Sequence, residues 1–217
     1  MASKLKVLLP DEDRDRIRQA VAAAEARTAG EIVPVVVERS YQYPLADVTG
    51  AAVMALPVAI GLTGPLGGLL WLGRQNMWVF IGVYALAFVA FHAIVRHTAW
   101  LKRLFIAKRE IDEEVHEAAI TTFFEQGLYR TRDETGVLIF ISLFERKVWV
   151  LADRGINDRV ENNQWDTIVA GIVDGIRSNS TGQAICDAVV KVGRLLESHF
   201  PVKDDDTNEL ADLIVKD

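Results

Sequence analysis

Between Val48 and Gly73 the chain runs 26 residues without a charged side chain, and Gln75 to Val95 adds 21 more in which only His92 can take up a proton. Arg74 alone separates the two stretches. A helix needs roughly 20 apolar residues to cross the hydrocarbon core of a bilayer, so each stretch is long enough. The competing reading is a pair of core helices in a soluble domain, but the flanking segments are too small to bury two such helices on every side. The sequence therefore predicts a transmembrane helical hairpin over 48–72 and 76–95, turning at Gly73–Asn76.

The rest of the 217 residues amounts to one domain of ordinary size, here expected over 1–47 plus 97–202. A net charge of −6 argues against a nucleic-acid footprint. The single cysteine, Cys186, has no internal disulfide partner and suits a reducing compartment. Met1 to Arg18 is charged and shows no apolar core of the signal-peptide kind. Arg96, Lys102, Arg103, Lys108 and Arg109 follow the second span, whereas the turn offers only Arg74. Lys and Arg near span ends favour the cytoplasmic side, so both termini and the soluble domain are expected in the cytoplasm.

Along the chain, Asp11 to Thr28 reads as an amphipathic helix with Ile17, Ala20, Val21 and Ala24 on one face. Glu31 to Arg39 is a strand whose Pro34 lacks an amide donor, which points to a sheet edge or a bulge. In the first span Gly64 and Gly68 have the GxxxG spacing that lets another helix approach, although Pro65 lies between them. From Arg96 to Gln126 the chain reads as one helix stopped by Gly127, with Ile111, Val115, Ala118, Ala119 and Thr122 on the face that meets a sheet. Gly136–Leu143 and Lys147–Ala152 read as a β-hairpin. Two helices follow, over about 158–177 and 183–199, and Gly171 and Gly175 in the first suit close packing on the sheet. The segment 203–217, with six acids against two lysines, is expected to be an acidic tail with at most a short contact helix. The order α-β-α-β-β-α-α, with the hairpin removed, specifies an α/β (α+β) fold: a small mixed sheet flanked by helices, interrupted by the hairpin.

Thr28-Ala29-Gly30-Glu31-Ile32-Val33, Gly136-Val137-Leu138-Ile139-Phe140-Ile141-Ser142 and Arg146-Lys147-Val148-Trp149-Val150-Leu151-Ala152-Asp153-Arg154-Gly155-Ile156 together resemble the TPM domain. That family includes thylakoid-lumen proteins, an animal modulator of acetylcholine receptors and many bacterial membrane proteins. The resemblance covers nearly all of Asp11 to Pro201 outside the spans and is closest to a bacterial branch with the hairpin inside the domain. It implies a mixed α/β sandwich, placement in a bacterial inner membrane, divalent-cation binding and acid phosphatase activity in some members. Asp133 stands at the family's Asp-x-x-Gly-Val-Leu entry to the central strand, and Gly155 fits the family's glycine-rich turn. Asp153 stands where the family usually has glycine.

Oxygen ligands carry the chemical expectation. Asp153, Asn157 and Asp158 lie around one turn and Asp133 precedes the adjacent strand, so an antiparallel pair can bring them together around Ca²⁺ or Mg²⁺. The same residues also suit turn and helix-cap roles, with Asn157 or Asp158 as N-cap and Arg154 and Arg159 as partners for the acids. Glu113, His116 and Glu117 do not follow the His-Glu-x-x-His order of zinc proteases. His92, His97, His116 and His199 are scattered and give no zinc spacing. With no nucleophile elbow or phosphate loop in the sequence, the expected role is an interaction, assembly or regulatory module held at the lipid bilayer for a membrane-protein partner. A metal-dependent phosphatase and a sensor of anionic lipid or small ligands, using the basic Arg96–Arg109 segment, are the alternatives.

Overall fold

The structure is a computed structural model that describes residues 5, 8–73, 76–160, 162–202 and 209–216. In chain order its elements are α1 (Asp11–Glu25), β1 (Glu31–Val37), α2 (Pro44–Leu69), α3 (Met77–His97), α4 (Ala99–Arg103) and α5 (Lys108–Glu125), then β2 (Gly136–Ser142), β3 (Lys147–Ala152), α6 (Arg154–Asn157), α7 (Asn162–Arg177), α8 (Thr181–His199) and β4 (Ile214–Lys216). Two compact units result, Met1–Tyr41 with Asp112–Asp217, and Gln42–Ile111.

The first unit is built on a four-stranded mixed sheet in the order β3-β2-β1-β4. β1 runs parallel to β2 and to β4, and β2 and β3 form the antiparallel hairpin. Every residue of β1 and β2 is buried, so helices cover both faces of these strands. Ile32, Val36, Val137, Ile139 and Ile141 belong to the main core, which they share with Ile17 and Val21 of α1, Ile168 and Ile172 of α7, and Ile185 and Val189 of α8. Fully burying side chains of this size is worth about 1.5–3 kcal/mol each. On the opposite face His116 of α5 stands edge-on to Trp149, 4.3 Å between ring centroids, and Asp112 pairs with Lys147 at 2.6 Å. These contacts set α5 over the β3 side of the sheet.

Pro34 sits in an inner strand, and the ladder shows how. Glu31 N–H donates to Thr135 O on the β2 side and Ile32 N–H to Glu25 Oε1 on the other. Alternation turns the Pro34 nitrogen away from β2, and β4 reaches only Val35 to Val37. The missing donor falls just short of β4, where the ladder has no acceptor to satisfy.

Three expectations are corrected. The acidic segment read as a tail with a possible contact helix supplies β4, because Ile214 and Val215 extend onto the free side of β1; its residues 203–208 and 217 lie outside the described residues. The single helix expected over Arg96–Gln126 is three, broken at Thr98 (φ −112°, ψ 94°) and at 104–107. Gly175 packs on a helix rather than on the sheet: a Cβ there would stand 2.1 Å from Ala184 Cβ of α8, whereas the nearest atom to one at Gly171 is Lys191 Nζ at 3.9 Å.

In the second unit α2 and α3 pack together. The buried positions of α2 include Ala51, Ala55 and Ala59, one every four residues. Along α3 the same interval stacks Phe80, Tyr84, Phe88 and His92, with centroids 6.2, 6.4 and 6.1 Å apart. Small side chains thus recur along one helix and rings along the other. Gly68 faces open space, so the GxxxG spacing is not what brings these helices together. Asn76 starts α3 by accepting from Trp78 N–H at 2.9 Å and Val79 N–H at 3.2 Å.

Candidate functional site

β1 and β2 start level, with Glu31 beside Gly136, while antiparallel β3 ends there at Ala152. Residues before β2 and after β3 therefore meet at the amino ends of the parallel pair. Asp153 N–H donates to Gly136 O at 2.9 Å. A Cβ on Gly155 would stand 2.8 Å from Glu134 O and 3.0 Å from Asp133 O, so this turn seats on the preceding loop only because glycine is there.

The four predicted site residues separate within this shared region. Asp153 caps α6 by accepting from Arg154 N–H at 2.7 Å through Oδ1, and its buried Oδ2 has no hydrogen-bond partner among the described residues. The cap thus falls on Asp153, ahead of the Asn157 or Asp158 expected, because the chain turns into α6 as soon as β3 ends. Asn157 Nδ2 donates to Ala152 O at 2.6 Å and closes the turn. Asp158 is exposed and stands 4.0 Å from Arg154 Nε. Asp133 lines a cavity of about 340 Å³ with Thr135, Arg159 and His199. Among the described residues no group of three or more His, Cys, Asp or Glu side chains is placed to hold a metal ion. A cation in this turn would have the orphaned Asp153 Oδ2 as its firmest protein ligand, with carbonyl oxygens and water completing the oxygen shell.

The cavity wall adds residues whose cooperation the sequence hides. Arg159 Nη1 donates to His199 O at 3.2 Å and its guanidinium lies 4.7 Å over the Phe200 ring. Thr28 Oγ1 donates to Phe200 O at 2.6 Å and Thr135 Oγ1 to Ala29 O at 2.8 Å, which ties the end of α8 to the start of β1 and β2. Residues 133, 159 and 199 have no common spacing, and only the closed sheet brings them to one wall. Elsewhere, His116 is engaged with Trp149, and burial pushes the Cys186 thiol upward against the opposing pull of Arg16.

The family model described as the TPM domain matches residues 102–195. Comparison with curated proteins gives no match. Among solved structures, the BA42 protein of the psychrophilic bacterium Bizionia argentinensis, determined by NMR, aligns at 21% identity over 96% of this chain and 95% of that one, with a TM-score of 0.58. At that identity the likeness shows the fold. Sequence motif, family match and fold agree on a TPM-type domain: residues 102–195 match the TPM model, beginning in the segment that follows the second apolar helix, and the fold is that of the BA42 protein.

Proposed function

We propose that this TPM-domain protein is anchored in a bacterial cytoplasmic membrane by α2 and α3, with its domain on the cytoplasmic side, and that it serves as an interaction or regulatory module for a membrane protein. The supporting observation is the outer surface of the two helices. Both are long and apolar enough to cross a bilayer, and only 6% of the most apolar window of α3 is buried. Val53, Leu56, Ile60, Ile81, Leu86 and Val89 are all exposed. Apolar surface left in water costs about 25 cal/mol per Å², and lipid removes that cost. A core helix of a soluble protein would be covered instead.

The sheet supports an even number of crossings. β1 precedes the apolar helices and β2 follows them, yet the two strands are neighbours, so the chain returns to the side it left. Arg96, Lys102, Arg103, Lys108 and Arg109 follow the second apolar helix, and Lys and Arg near span ends favour the cytoplasm. The test is extraction of membranes with alkaline carbonate, together with reporters at the C-terminus. Retention in the pellet, with a fluorescent protein active and alkaline phosphatase silent, is expected. Release into the supernatant overturns the anchoring, and an active phosphatase fusion overturns the orientation. In-membrane crosslinking then identifies the partner.

A second reading, a divalent-metal-dependent phosphatase, draws support from the buried, partnerless Asp153 Oδ2. Asp153, with carbonyl oxygens and water completing the shell, would hold Ca²⁺ or Mg²⁺, which when bound withdraws charge from a phosphate and activates water. Arg159, with its guanidinium at the cavity wall, would orient the phosphate. Saturable stabilisation by Ca²⁺ or Mg²⁺ that disappears in Asp153→Ala is expected; an unchanged shift in that variant removes the site from this turn.

A further inference from the structure

The carboxyl ends of the parallel strands hold a second cavity, of about 430 Å³, on the face of the sheet that carries α5. It forms because α5 crosses toward β3, where His116 meets Trp149, and leaves the β1–β4 side of that face open. Phe140 makes an apolar floor, Arg39, Ser40 and Lys216 come from the strand ends, and Glu117 comes from α5. Ligands in open α/β sheets gather beyond the carboxyl ends of parallel strands, where backbone direction changes and side chains diverge. The acidic turn described above lies at the opposite, amino end.

Its polar groups are of both signs and have capacity to spare. Ser40 N–H donates to the buried Glu145 carboxylate at 3.1 Å, which fixes the residue, while Ser40 Oγ is buried without a hydrogen-bond partner among the described residues. Arg39 makes a long 3.5 Å contact with its neighbour Glu38 and lies 5.9 Å from the Phe144 ring, which leaves most of its five donors uncommitted among the described residues. Lys216 Nζ shares its charge with Glu125 at 3.2 Å. Glu117 is exposed on the facing helix. A guanidinium suits a tetrahedral oxyanion, which it grips through paired N–H groups, and a carboxylate opposite suits an ammonium. The volume fits on the order of ten to fifteen non-hydrogen atoms if each takes about the space of one water, 30 Å³.

We propose that this cavity binds a small zwitterion of the aminoalkyl-phosphate class, its phosphate on Arg39 and Ser40 and its ammonium on Glu117. The chemistry is shared by free phosphoethanolamine esters and by the headgroup of phosphatidylethanolamine. The probe is glycerophosphoethanolamine, titrated calorimetrically into the full chain in a non-ionic detergent. Saturable binding with a dissociation constant near or below about 1 mM is expected. Arg39→Gln and Glu117→Gln should each weaken it about tenfold or more. Glycerol phosphate, which lacks the ammonium, and ethanolamine, which lacks the phosphate, should bind weakly by the same measure. Both variants alter exposed side chains, and unchanged circular dichroism will show that they fold. No saturable binding, equal binding of glycerol phosphate, or binding indifferent to both substitutions overturns the proposal. If binding is found, repeating the titration in bilayer discs distinguishes the sources: competition from phosphatidylethanolamine that phosphatidylcholine does not exert assigns the headgroup, and equal binding in both assigns a soluble molecule.

Discussion

Lys102 Nζ lies 2.9 Å from both carboxylate oxygens of Asp47, and side-chain exposures of 6% and 11% shut the pair away from solvent. Lys102 also donates to Gln42 O at 2.5 Å. The ammonium thus joins the start of α2 to the short helix that follows α3. Taking one partner from a buried pair strands the other, at about 3–5 kcal/mol. Asp47→Leu and Lys102→Met should each lower the unfolding temperature of the full chain sharply. The double variant Asp47→Leu/Lys102→Met should be more stable than either single one. Additive losses in this cycle would show that the two charges do not act as a pair.

The two glycines of α7 should part company. Gly175→Ala drives a methyl group into Ala184, so helix or helix partner must move, at about 1–3 kcal/mol. Gly171 is exposed in the same helix. Alanine there should be neutral or stabilise by up to about 1 kcal/mol, because it restricts the unfolded chain and favours helix. Denaturant unfolding of the two variants checks the contrast, and equal effects would contradict the packing of α7 on α8.

Cys186 should react slowly. Burial disfavours its thiolate, and Asp13 and Asp187 add to that effect while Arg16 opposes it. The folded chain therefore holds the proton to higher pH than the unfolded chain does. This stabilisation is fully present below the unfolded thiol's value and is lost as pH rises through the folded one. Maleimide labelling at neutral pH should be much faster in denaturant than in the native protein. Equal rates would place the thiol in water.

Removing β4 should matter more than its length suggests. Leu213 and Val215 pack on the core, Glu38 N–H donates to Lys216 O, and β4 covers the edge of β1. A chain ending at Asp212 should unfold at lower temperature, by about 2–4 °C for each kcal/mol lost, and should associate through the uncovered edge. Lys216→Met removes only an exposed ion pair and should cost no more than about 1 kcal/mol. Thermal unfolding with light scattering separates the two.

How much of this was legible in sequence depended on whether a residue's partner was local. Lys147–Ala152 emerged with the same bounds because alternation and a short turn are written in adjacent residues. In the sequence Pro34 points to a sheet edge or a bulge, but β1 is an inner strand, and the proline is tolerated there because β4 reaches only Val35 to Val37. β4 was hidden, since three residues beside an acidic run carry no period, and its strand character comes from β1. Within the apolar helices, uniform hydropathy concealed the side that packs: Ala51, Ala55 and Ala59 stand out only by their burial. At the acidic turn the neighbourhood of Asp133 and Asp153 was readable, because strand direction dictates it. The division of labour among Asp153, Asn157 and Asp158 was not, because it depends on where α6 begins.

The adjacency of β1 and β2 also sets a timetable for synthesis. The two strands are separated by about 100 residues that include both apolar helices, so a ribosome working at roughly 5–20 residues per second releases β1 some 5–20 seconds before its first partner. β4 comes last of all. During that interval β1 is a valine-rich strand with neither edge paired, a template that nascent chains normally shield. The sheet can close only after the two apolar helices have emerged, so a nascent chain halted before Gly136 carries both of them and no sheet.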